Sequence, residues 1–390
     1  MGEYHASENP NMDDQYRFPV HTEALVVDSP KADFVMKPIV LNDMREDELL
    51  VEMTYTGICH TDIVLQQGLL PMVDFPAIFG HEGAGKVLAI GSEVKDKSIK
   101  IGDSVLLSFN VCGECRQCRA GHPAYCHNHP QINHNAVRKD RSTPAASQDG
   151  SSSIRSQYFG HSSFSKISVV AERSVVKCPQ EEILPSFAPL GCGFQTGAGT
   201  VLNVLKPTKD DSIAVFGLGA VGLAALMAAK YLDAKQIIAV DLVPEKLNLA
   251  KEFGATATIN PKDVPDVVKA TKELTNGGVD FAIDCTGVVA VIEQCIEALG
   301  PLGVAAGVGV PPVGRKIQID PLTFLLENKR YIGVIEGDSV PSEFIPKLVE
   351  MQQEGLFPVE KLCRVYDIAD FDVAIADLKA GKVIKPVIEF

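Results

Sequence analysis

Four cysteines in a short segment constrain the fold of this chain more than any other feature. They follow the spacing Cys112-x2-Cys115-x2-Cys118-x7-Cys126, and Gly113 and Gly121 lie among them. Four thiolates at this spacing can surround one tetrahedral zinc ion, and the glycines allow the backbone to turn tightly around it. Because four sulfur ligands leave no open coordination position, the pattern predicts a structural zinc lobe rather than a reaction centre.

The residues of the cluster leave two other interpretations open. An iron–sulfur cluster also takes four thiolates, although the ferredoxin spacing and its following proline are absent. A set of free core cysteines is the other, although Arg116 and Arg119 beside the thiols suit burial poorly. The remaining cysteines are scattered, at Cys59, Cys178, Cys192, Cys285, Cys295 and Cys363.

The composition of the chain indicates its cellular compartment and the kind of molecule it binds. Ten cysteines without a secretory signal indicate metal or thiol chemistry in a reducing compartment. The segment Met1 to Phe18 is polar and acidic, so we expect a flexible N-terminal extension over residues 1–20 and a cytoplasmic protein. No apolar run approaches the roughly 18 residues that span a bilayer. A formal net charge of -14 disfavours nucleic acid and anionic membranes as partners, which leaves small molecules.

The character of the sequence changes near residue 194. Up to about Gly193, short apolar segments alternate with Gly and Pro, which predicts a β-rich part, and the polar stretch from Asn133 to Ser156 is interpreted as a surface loop. Beyond it, strand-like and helical runs alternate, as in a doubly wound parallel sheet of the α/β class. The predicted strands are 212–216, 236–240, 279–284, 303–308 and 383–389, and the predicted helices are 220–232, 245–253, 291–299, 342–355 and 371–380.

A glycine-rich turn joins the first strand and helix of the α/β part. Gly217, Gly219 and Gly222 have the GxGxxG spacing between an apolar strand and an apolar helix. The first glycine permits the tight turn, the second lets a pyrophosphate approach the backbone, and the third lets helix and strand pack closely.

Asp241 follows the second strand, 19 residues beyond the last of these glycines. A carboxylate there accepts hydrogen bonds from ribose hydroxyls and repels a 2′-phosphate, so we predict NAD(H) as the cofactor, with Lys246 near the ribose. A glycine-rich turn in an unrelated α/β protein, with Asp241 as a strand-end cap, is the alternative.

Two further motifs precede the cysteine cluster and one follows it. Gly57-Ile58-Cys59-His60-Thr61-Asp62 and Gly80-His81-Glu82-Gly83-Ala84-Gly85 place a thiol and an imidazole 22 residues apart, and Gly191-Cys192-Gly193 frames another thiol. Taken singly, Cys59, His81 and Cys192 are ordinary buried residues. Together with the cysteine lobe and the GxGxxG unit, in this order, the motifs resemble the zinc-containing medium-chain alcohol dehydrogenases. The resemblance runs from about Thr22 to Phe390.

The resemblance implies a domain organisation and a set of cofactors. It implies a GroES-like catalytic domain over 21–193 and 335–390, with the structural zinc lobe at 112–126, and a Rossmann NAD-binding domain over 194–334. Two zinc ions per subunit are expected, a structural one on the four clustered cysteines and a catalytic one on Cys59, His81 and Cys192. Family members are homodimers or homotetramers.

Further roles follow from the resemblance. Thr61 matches the hydroxyl that relays the substrate proton, whereas Val64 stands where many members carry a histidine that passes it on. Glu82 is expected beside the metal, where it contacts the ligands or occasionally becomes a ligand itself. Asp62 is expected to accept a hydrogen bond from the second ring N–H of His81. The remaining cofactor residues are His60 and Lys385, which match cations on the pyrophosphate or are solvated surface charges, and Val308 at a strand end.

The residues around the expected pocket bear on the substrate. Phe109, Tyr158 and Phe159 are aromatic residues expected near the pocket, with plain core residues as the alternative interpretation. The segment Gln67 to Met72 lacks the acidic residues of the glutathione-dependent formaldehyde dehydrogenases, so the chain looks like the aryl-alcohol (benzyl-alcohol type) branch. We therefore expect reversible hydride transfer between NAD(H) and a primary aromatic, allylic or medium-chain alcohol or aldehyde, in specialised metabolism. The alternatives are a glutathione-dependent formaldehyde dehydrogenase-like enzyme, a zinc-free quinone reductase of the same fold, and a non-catalytic zinc-lobed binding protein.

Overall fold

The structure is a computed structural model, and it describes residues 17–390. Most of the predicted N-terminal extension, residues 1–16, therefore lies outside the described residues. The described chain forms two compact units. The first unit comprises residues 17–115, 126–191 and 364–390, and the second comprises residues 116–125 and 192–363. The boundaries given above for the two domains and the zinc lobe stay predictions.

The strands are, in chain order, β1 Val20–Val27, β2 Val35–Leu41, β3 Glu48–Gly57, β4 Ala77–Ile78, β5 Gly83–Ile90, β6 Ser104–Leu107, β7 Ala145–Ser147, β8 Ser153–Ile154, β9 Ile167–Ala171, β10 Val175–Lys177, β11 Ser212–Phe216, β12 Gln236–Val240, β13 Ala257–Ile259, β14 Val279–Asp284, β15 Leu299–Gly307, β16 Arg330–Gly333, β17 Cys363–Asp367 and β18 Lys385–Glu389.

The α-helices are α1 His60–Gln66, α2 Arg116–Arg119, α3 Gly193–Gly199, α4 Ala220–Tyr231, α5 Pro244–Glu252, α6 Val267–Leu274, α7 Val289–Glu297, α8 Pro321–Glu327, α9 Pro341–Gln353 and α10 Phe371–Lys379. Between residues 17 and 390, no helix is both long and apolar enough to cross a membrane.

Two sheets make up the first unit. One has the strand order β4-β1-β2-β7-β8, and the other has the order β10-β6-β5-β3-β18-β17, with β9 also paired to β3. The long strand β3 forms antiparallel ladders with β5, β9 and β18, and its residues Leu49, Val51 and Met53 lie in a buried apolar cluster. The β-rich character predicted for the first half is confirmed. Strand β18 brings the C-terminal segment next to the end of β3, where Val387 pairs with Gly57.

The stretch from Asn133 to Ser156 differs from the predicted surface loop. It contains the antiparallel pair β7 and β8, and it carries three buried polar residues, Asn133, Arg138 and Ser156. The Asn133 side chain accepts from the backbone N–H of Asn110 at 2.7 Å and donates to its carbonyl oxygen at 2.9 Å. The Arg138 guanidinium donates to both carboxylate oxygens of Glu48, at 2.7 and 2.6 Å. The loop prediction was wrong because polar residues can be paired inside a fold instead of solvated.

The second unit contains a six-stranded sheet of order β13-β12-β11-β14-β15-β16, and its neighbouring strands run parallel. The chain winds outward from β11 in one direction and from β14 in the other, as in a doubly wound fold whose switch point lies between those strands. The predicted α/β fold is confirmed, and the helices α4, α5, α7 and α9 lie within two residues of their predicted ends. This topology places the loop after β11 at the carboxyl edge of the sheet, where such folds bind ligands.

Candidate active site and metal centres

The cysteine loop brings its four thiols together. The sulfur atoms of Cys112, Cys115, Cys118 and Cys126 lie within 4.8 Å of one another. Gly113 and Gly121 have φ values of 72° and 85°, so both predicted turns use the left-handed region. Burial raises the pKa of the Cys112 thiol, but the backbone N–H groups of Glu114 and Cys115 outweigh it, and the pKa falls below its usual value. A stabilised thiolate at Cys112, within a closed set of four cysteines, suits a structural zinc ion.

Two contacts tie the loop between Cys118 and Cys126 to other residues of the second unit. The Nδ1 of His122 lies 2.8 Å from a carboxylate oxygen of Asp338. The hydroxyl of Tyr125 donates to the carbonyl oxygen of Gly333 at 3.4 Å.

One buried carboxylate organises the Cys59 and His81 motifs. Asp62, in the first turn of α1, accepts from the backbone N–H groups of Cys59 and Gly80, each at 3.0 Å. Its Oδ1 also lies 3.0 Å from Nδ1 of the buried His81, the contact expected from the sequence. This contact favours the tautomer that carries its proton on Nδ1 and turns Nε2 toward the thiol of Cys59.

The electrostatic field around His81 favours positive charge. Burial lowers the pKa of the imidazole, but Asp62 and Cys59 raise it, and the pKa ends well above its usual range. Asp62 and Cys59 would stabilise a metal cation at Nε2 in the same way, because negative groups attract a metal ion as they attract a proton.

Cys192, the third predicted zinc ligand, follows Gly191, which packs against Leu107 and Ser108. A Cβ on Gly191 would meet the carbonyl oxygen of Leu107 at 2.0 Å, and the Ser108 hydroxyl donates to the carbonyl oxygen of Gly191 at 2.6 Å. Cys192 is bonded directly to Gly191, and within the first unit the ligand atoms of Cys59, His81 and Glu82 lie within 4.8 Å of one another. Two thiolates and an imidazole with a nearby carboxylate suit a zinc ion that keeps one position open.

Glu82 pairs with a residue from the other end of the chain. Both of its carboxylate oxygens lie 2.9 Å from Nζ of Lys385, which also donates to the carbonyl oxygen of Ile58 at 3.3 Å. Burial raises the pKa of Glu82, and Lys385 acts against that rise. The idea that Lys385 is a solvated surface charge was wrong, since only 3% of the residue is exposed.

Aromatic rings and imidazoles surround His81 within the first unit. The ring centroid of His81 lies 4.6 Å from that of Phe159 and 5.3 Å from that of Tyr158. Phe109, the third predicted aromatic residue, is fully buried and lies 6.1 Å from the ring of His129. The sequence reasoning missed the buried histidines His129 and His161 and the half-buried His134. Burial lowers the pKa of His161 to about 3, with a smaller contribution from His81, so its imidazole is neutral near pH 7.

The glycine-rich turn has the geometry its motif predicts. Gly217 adopts φ 91° and donates its N–H to the carbonyl oxygen of Val240 at 2.9 Å. A Cβ on Gly222 would meet the carbonyl oxygen of Gly217 at 1.9 Å, whereas one on Gly219 would meet nothing within 4 Å. The turn therefore requires close packing at Gly222 and leaves open space at Gly219, where helix α4 begins. That open side at a helix N-terminus is suited to a pyrophosphate.

Other predicted cofactor residues lie near the strand ends of this sheet. The carboxylate of Asp241 accepts from the backbone N–H groups of Leu218, at 2.7 Å, and Val243, at 2.9 Å. Lys246 is half-buried on α5, and Val308 follows β15 and donates its N–H to the carbonyl oxygen of Asp284 at 2.9 Å.

His60 and Thr61 begin helix α1 in the first unit. His60 is exposed, and the hydroxyl of Thr61 lies 3.6 Å from the sulfur of Cys59.

The chain is similar to known proteins over nearly its whole length. The zinc-binding dehydrogenase family matches residues 220–353, and the alcohol dehydrogenase GroES-like domain matches residues 45–180. The geraniol dehydrogenase of Castellaniella defragrans is 33% identical over 371 residues, 95% of this chain and 98% of that protein. An S-(hydroxymethyl)glutathione dehydrogenase of Haemophilus influenzae is 34% identical over 95% of this chain and 98% of that protein.

A solved structure agrees with these sequence relatives. The crystal structure of benzyl alcohol dehydrogenase from Acinetobacter calcoaceticus is similar at a TM-score of 0.90, with 38% identity over 95% of this chain and 99% of that one. With its two metal-ligand groups and its glycine-rich turn, the chain belongs to the zinc-dependent medium-chain alcohol dehydrogenases.

Proposed function

We propose that this enzyme interconverts primary aromatic, allylic or medium-chain alcohols and their aldehydes, with NAD(H) as the hydride carrier. The observation that carries the proposal is the placing of Phe159 and Tyr158 against His81, with ring centroids 4.6 and 5.3 Å away. Aromatic walls beside a metal ligand favour a flat or unsaturated carbon skeleton whose functional group faces the metal. The names of the geraniol and benzyl alcohol dehydrogenase relatives support the same substrate class.

The proposed ligands of the catalytic zinc are Cys59, His81 and Cys192. Zinc bound there supplies a Lewis acid that favours the alkoxide form of an alcohol near neutral pH. The protein orients this ligand set through Asp62, which holds the His81 ring and the backbone of Cys59 at once. Glu82, next to His81 in the sequence, contributes negative charge and is held by Lys385.

Thr61 is the proposed acceptor of the alcohol proton. Its hydroxyl lies in the first turn of α1, 3.6 Å from the sulfur of Cys59. A hydroxyl can accept one proton while it donates its own, so it can pass a proton away from a buried site. Val64, on the same helix, offers no acceptor for the next transfer, so the route to solvent leaves α1 by another group.

NAD(H) is proposed to bind along the carboxyl edge of the parallel sheet. The open side at Gly219, where helix α4 begins, is proposed to receive the pyrophosphate, and Gly222 keeps helix α4 close to the turn. Asp241 selects the unphosphorylated ribose, with Lys246 and Val308 as further contacts. His60 supplies a cation from the first turn of α1. A pyrophosphate contact by Lys385 stays a prediction, since its ammonium already faces three acceptors.

The four-cysteine loop is proposed to hold the second, structural zinc. Loss of this zinc would destabilise the conformation of residues 112–126 but would remove no group that takes part in the reaction.

A glutathione-dependent formaldehyde dehydrogenase is the second candidate, and the Haemophilus relative supports it. The glutathione-dependent enzymes place acidic residues in the segment that corresponds to Gln67 to Met72, whereas this chain exposes 64% of Leu69 and 41% of Met72 there. We therefore prefer the apolar alcohol. A zinc-lobed binding protein without catalysis has no use for the Cys59, His81 and Cys192 group.

Cellular context completes the proposal. We propose a cytoplasmic homodimer or homotetramer that works on small molecules, and the net charge of -14 disfavours nucleic acid and anionic membranes as partners.

The test is a substrate series with the purified enzyme. NADH formation is followed with benzyl alcohol, geraniol, hexanol and S-(hydroxymethyl)glutathione, and zinc is counted per chain by mass spectrometry. We expect two zinc ions and kcat/KM values for benzyl alcohol or geraniol at least ten times that for the glutathione adduct. A preference for the glutathione adduct would identify the enzyme as a glutathione-dependent formaldehyde dehydrogenase. A single zinc ion per chain would overturn the proposed metal sites.

A further inference from the structure

A short left-handed turn contacts the proposed zinc ligand Cys192. Glu336, Gly337 and Asp338 have φ values of 49°, 64° and 46°. Glutamate rarely adopts this region, because the Cβ then crowds the following carbonyl oxygen, whereas aspartate adopts it more often. Such a conformation persists where the surrounding structure fixes it, and it often marks a functional position.

Helix α3 and the residues after it hold the turn in place. A Cβ on Gly337 would meet the carbonyl oxygen of Gln195 at 2.5 Å and Cα of Gly199 at 2.7 Å. The Asn203 side chain donates to the carbonyl oxygen of Gly337 at 3.0 Å. The backbone of the turn therefore has no room to shift toward α3.

The carboxylate of Glu336 points inward. It is nearly fully buried, and one oxygen lies 3.6 Å from the sulfur of Cys192. The other oxygen accepts from Nε2 of Gln195 at 3.1 Å and from the hydroxyl of Thr196 at 3.4 Å. A third residue fixes the base of the side chain, since the Ser339 hydroxyl donates to the Glu336 carbonyl oxygen at 2.7 Å.

The backbone at Cys192 does not by itself fix the direction of its side chain. Cys192 precedes α3 with φ -146° and ψ -79°, outside the regular helical and extended regions. The rotamer preferences of a helix therefore do not apply to it. Within the second unit, the Glu336 carboxylate is placed to restrain this sulfur, at 3.6 Å.

We propose that Glu336 is a positioning residue that orients Cys192 for metal binding and so sets how tightly the catalytic zinc is held. The proposal rests on the proposed function, because it takes Cys192 as a zinc ligand. Metal ligands are generally oriented by outer partners whose removal weakens metal binding by about 10 to 100-fold. Glu336 belongs to the loop after β16, and its contact with Cys192 joins this loop to the start of α3.

Asp338 offers a matched control in the same turn. It also adopts a positive φ, but its carboxylate contacts His122 and not Cys192. An Asp338→Asn variant therefore changes the charge and a side-chain contact of the turn while leaving the contact between Glu336 and Cys192 intact.

The experiment follows zinc release from the purified holoenzyme to a chromogenic chelator. Glu336→Ala should release one zinc per chain 10 to 100-fold faster than the parent and keep the other. Glu336→Gln, which retains the length and hydrogen-bonding ability of the side chain, should stay within about threefold of the parent. Asp338→Asn should leave the release of that zinc unchanged.

A cobalt-substituted enzyme gives a second readout. The absorption band from thiolate to cobalt reports the geometry at the sulfur, so it should shift in Glu336→Ala and stay near the parent position in Glu336→Gln. If Glu336→Ala does not fold, Thr196→Val removes one support of the carboxylate and should speed zinc release less, but in the same direction.

The two proposals fail in different ways. If Cys192→Ser keeps both zinc ions, the ligand set of the proposed function is wrong. If Cys192→Ser loses one zinc while Glu336→Ala releases both at the parent rates, only the role of Glu336 is overturned. Equal release from Glu336→Ala and Glu336→Gln, or equal acceleration by Asp338→Asn, would also overturn it.

Discussion

Lys385 and Glu82 form a buried ion pair that joins residues 303 positions apart in the sequence, with Nζ 2.9 Å from each carboxylate oxygen. Strand β18 carries the lysine, and the glutamate immediately precedes β5. A Cβ on Gly57 would meet a Glu82 oxygen at 2.1 Å, so the pair also explains the glycine before Cys59. The pair holds negative charge beside the proposed catalytic metal and ties the C-terminal strand to it.

Breaking this pair should be costly. Lys385→Met leaves the Glu82 carboxylate buried without its partner, so we expect a loss of about 3–5 kcal/mol in the free energy of unfolding. Urea unfolding of the zinc-loaded enzyme measures it. Lys37→Met serves as the control, because Lys37 pairs with Asp28 at the surface, where removal should cost about 0–1 kcal/mol. Equal losses for the two variants would contradict the buried role.

The two groups of thiols should respond differently to serine. Cys59→Ser should lose the catalytic zinc while the fold remains, because the open coordination site depends on that thiolate. Its kcat should fall by at least about 1000-fold. Cys115→Ser should lose the structural zinc and chiefly lower thermal stability. Zinc content, kcat and melting temperature are compared for both variants. Normal turnover in Cys59→Ser with one zinc missing would refute the assignment.

Three histidines with lowered pKa values, the buried His129 and His161 and the half-buried His134, make stability depend on pH. Burial lowers the pKa of His129 and His134 to about 4 and that of His161 to about 3. Each imidazole has a pKa of about 6.5 in the unfolded chain, which therefore binds more protons than the folded protein below that pH. Stability should fall as the pH drops from about 6.5 toward 4, by about 1.4 kcal/mol per pH unit for each histidine.

His161→Gln isolates one of these contributions. The slope of unfolding free energy against pH should become shallower by about 1.4 kcal/mol per unit between roughly pH 6 and 4.5. Urea titrations at several pH values measure the slope. An unchanged slope would mean that His161 takes up its proton in the folded protein as readily as in the unfolded chain.

Asp241 should control the choice of dinucleotide. Asp241→Ala removes the acceptor for ribose hydroxyls and the repulsion of a 2′-phosphate, so the Kd for NADH should rise and that for NADPH should fall. It also frees the N–H of Leu218, which the carboxylate now accepts at 2.7 Å. Asp241→Asn keeps an acceptor and is the control for that loop contact. Quenching or enhancement of NADH and NADPH fluorescence gives both constants, and unchanged preference in Asp241→Ala would refute the role.

Patterns within short segments were readable from the sequence. The cysteine spacing, the GxGxxG turn and the alternation of strands and helices after residue 194 all concern groups close along the chain, so local chemistry defines them. The family resemblance added the distant ligands Cys59, His81 and Cys192, whose grouping no single motif indicates. Asp62 was also found this way, and its contact with His81 is present.

The burial of individual charged residues was difficult to predict from the sequence. Arg138 was assigned to a surface loop because its neighbours are polar, yet Glu48 and Asp43 neutralise it inside the first unit. Glu336 stands in the apolar run Val334-Ile335-Glu336, where a lone charge was a usable signal that something holds it.

By itself, the sequence determined the fold class, the cysteine lobe, the dinucleotide turn and the ligand types, because these depend on residue identity and local spacing. The tertiary structure decided which distant charges meet. It buried Lys385 against Glu82 and directed Glu336 toward Cys192, 144 positions away. The physical reason is that a buried charge is stable only beside a partner, and the partner is supplied by strand pairing and helix packing, which spacing along one segment does not encode.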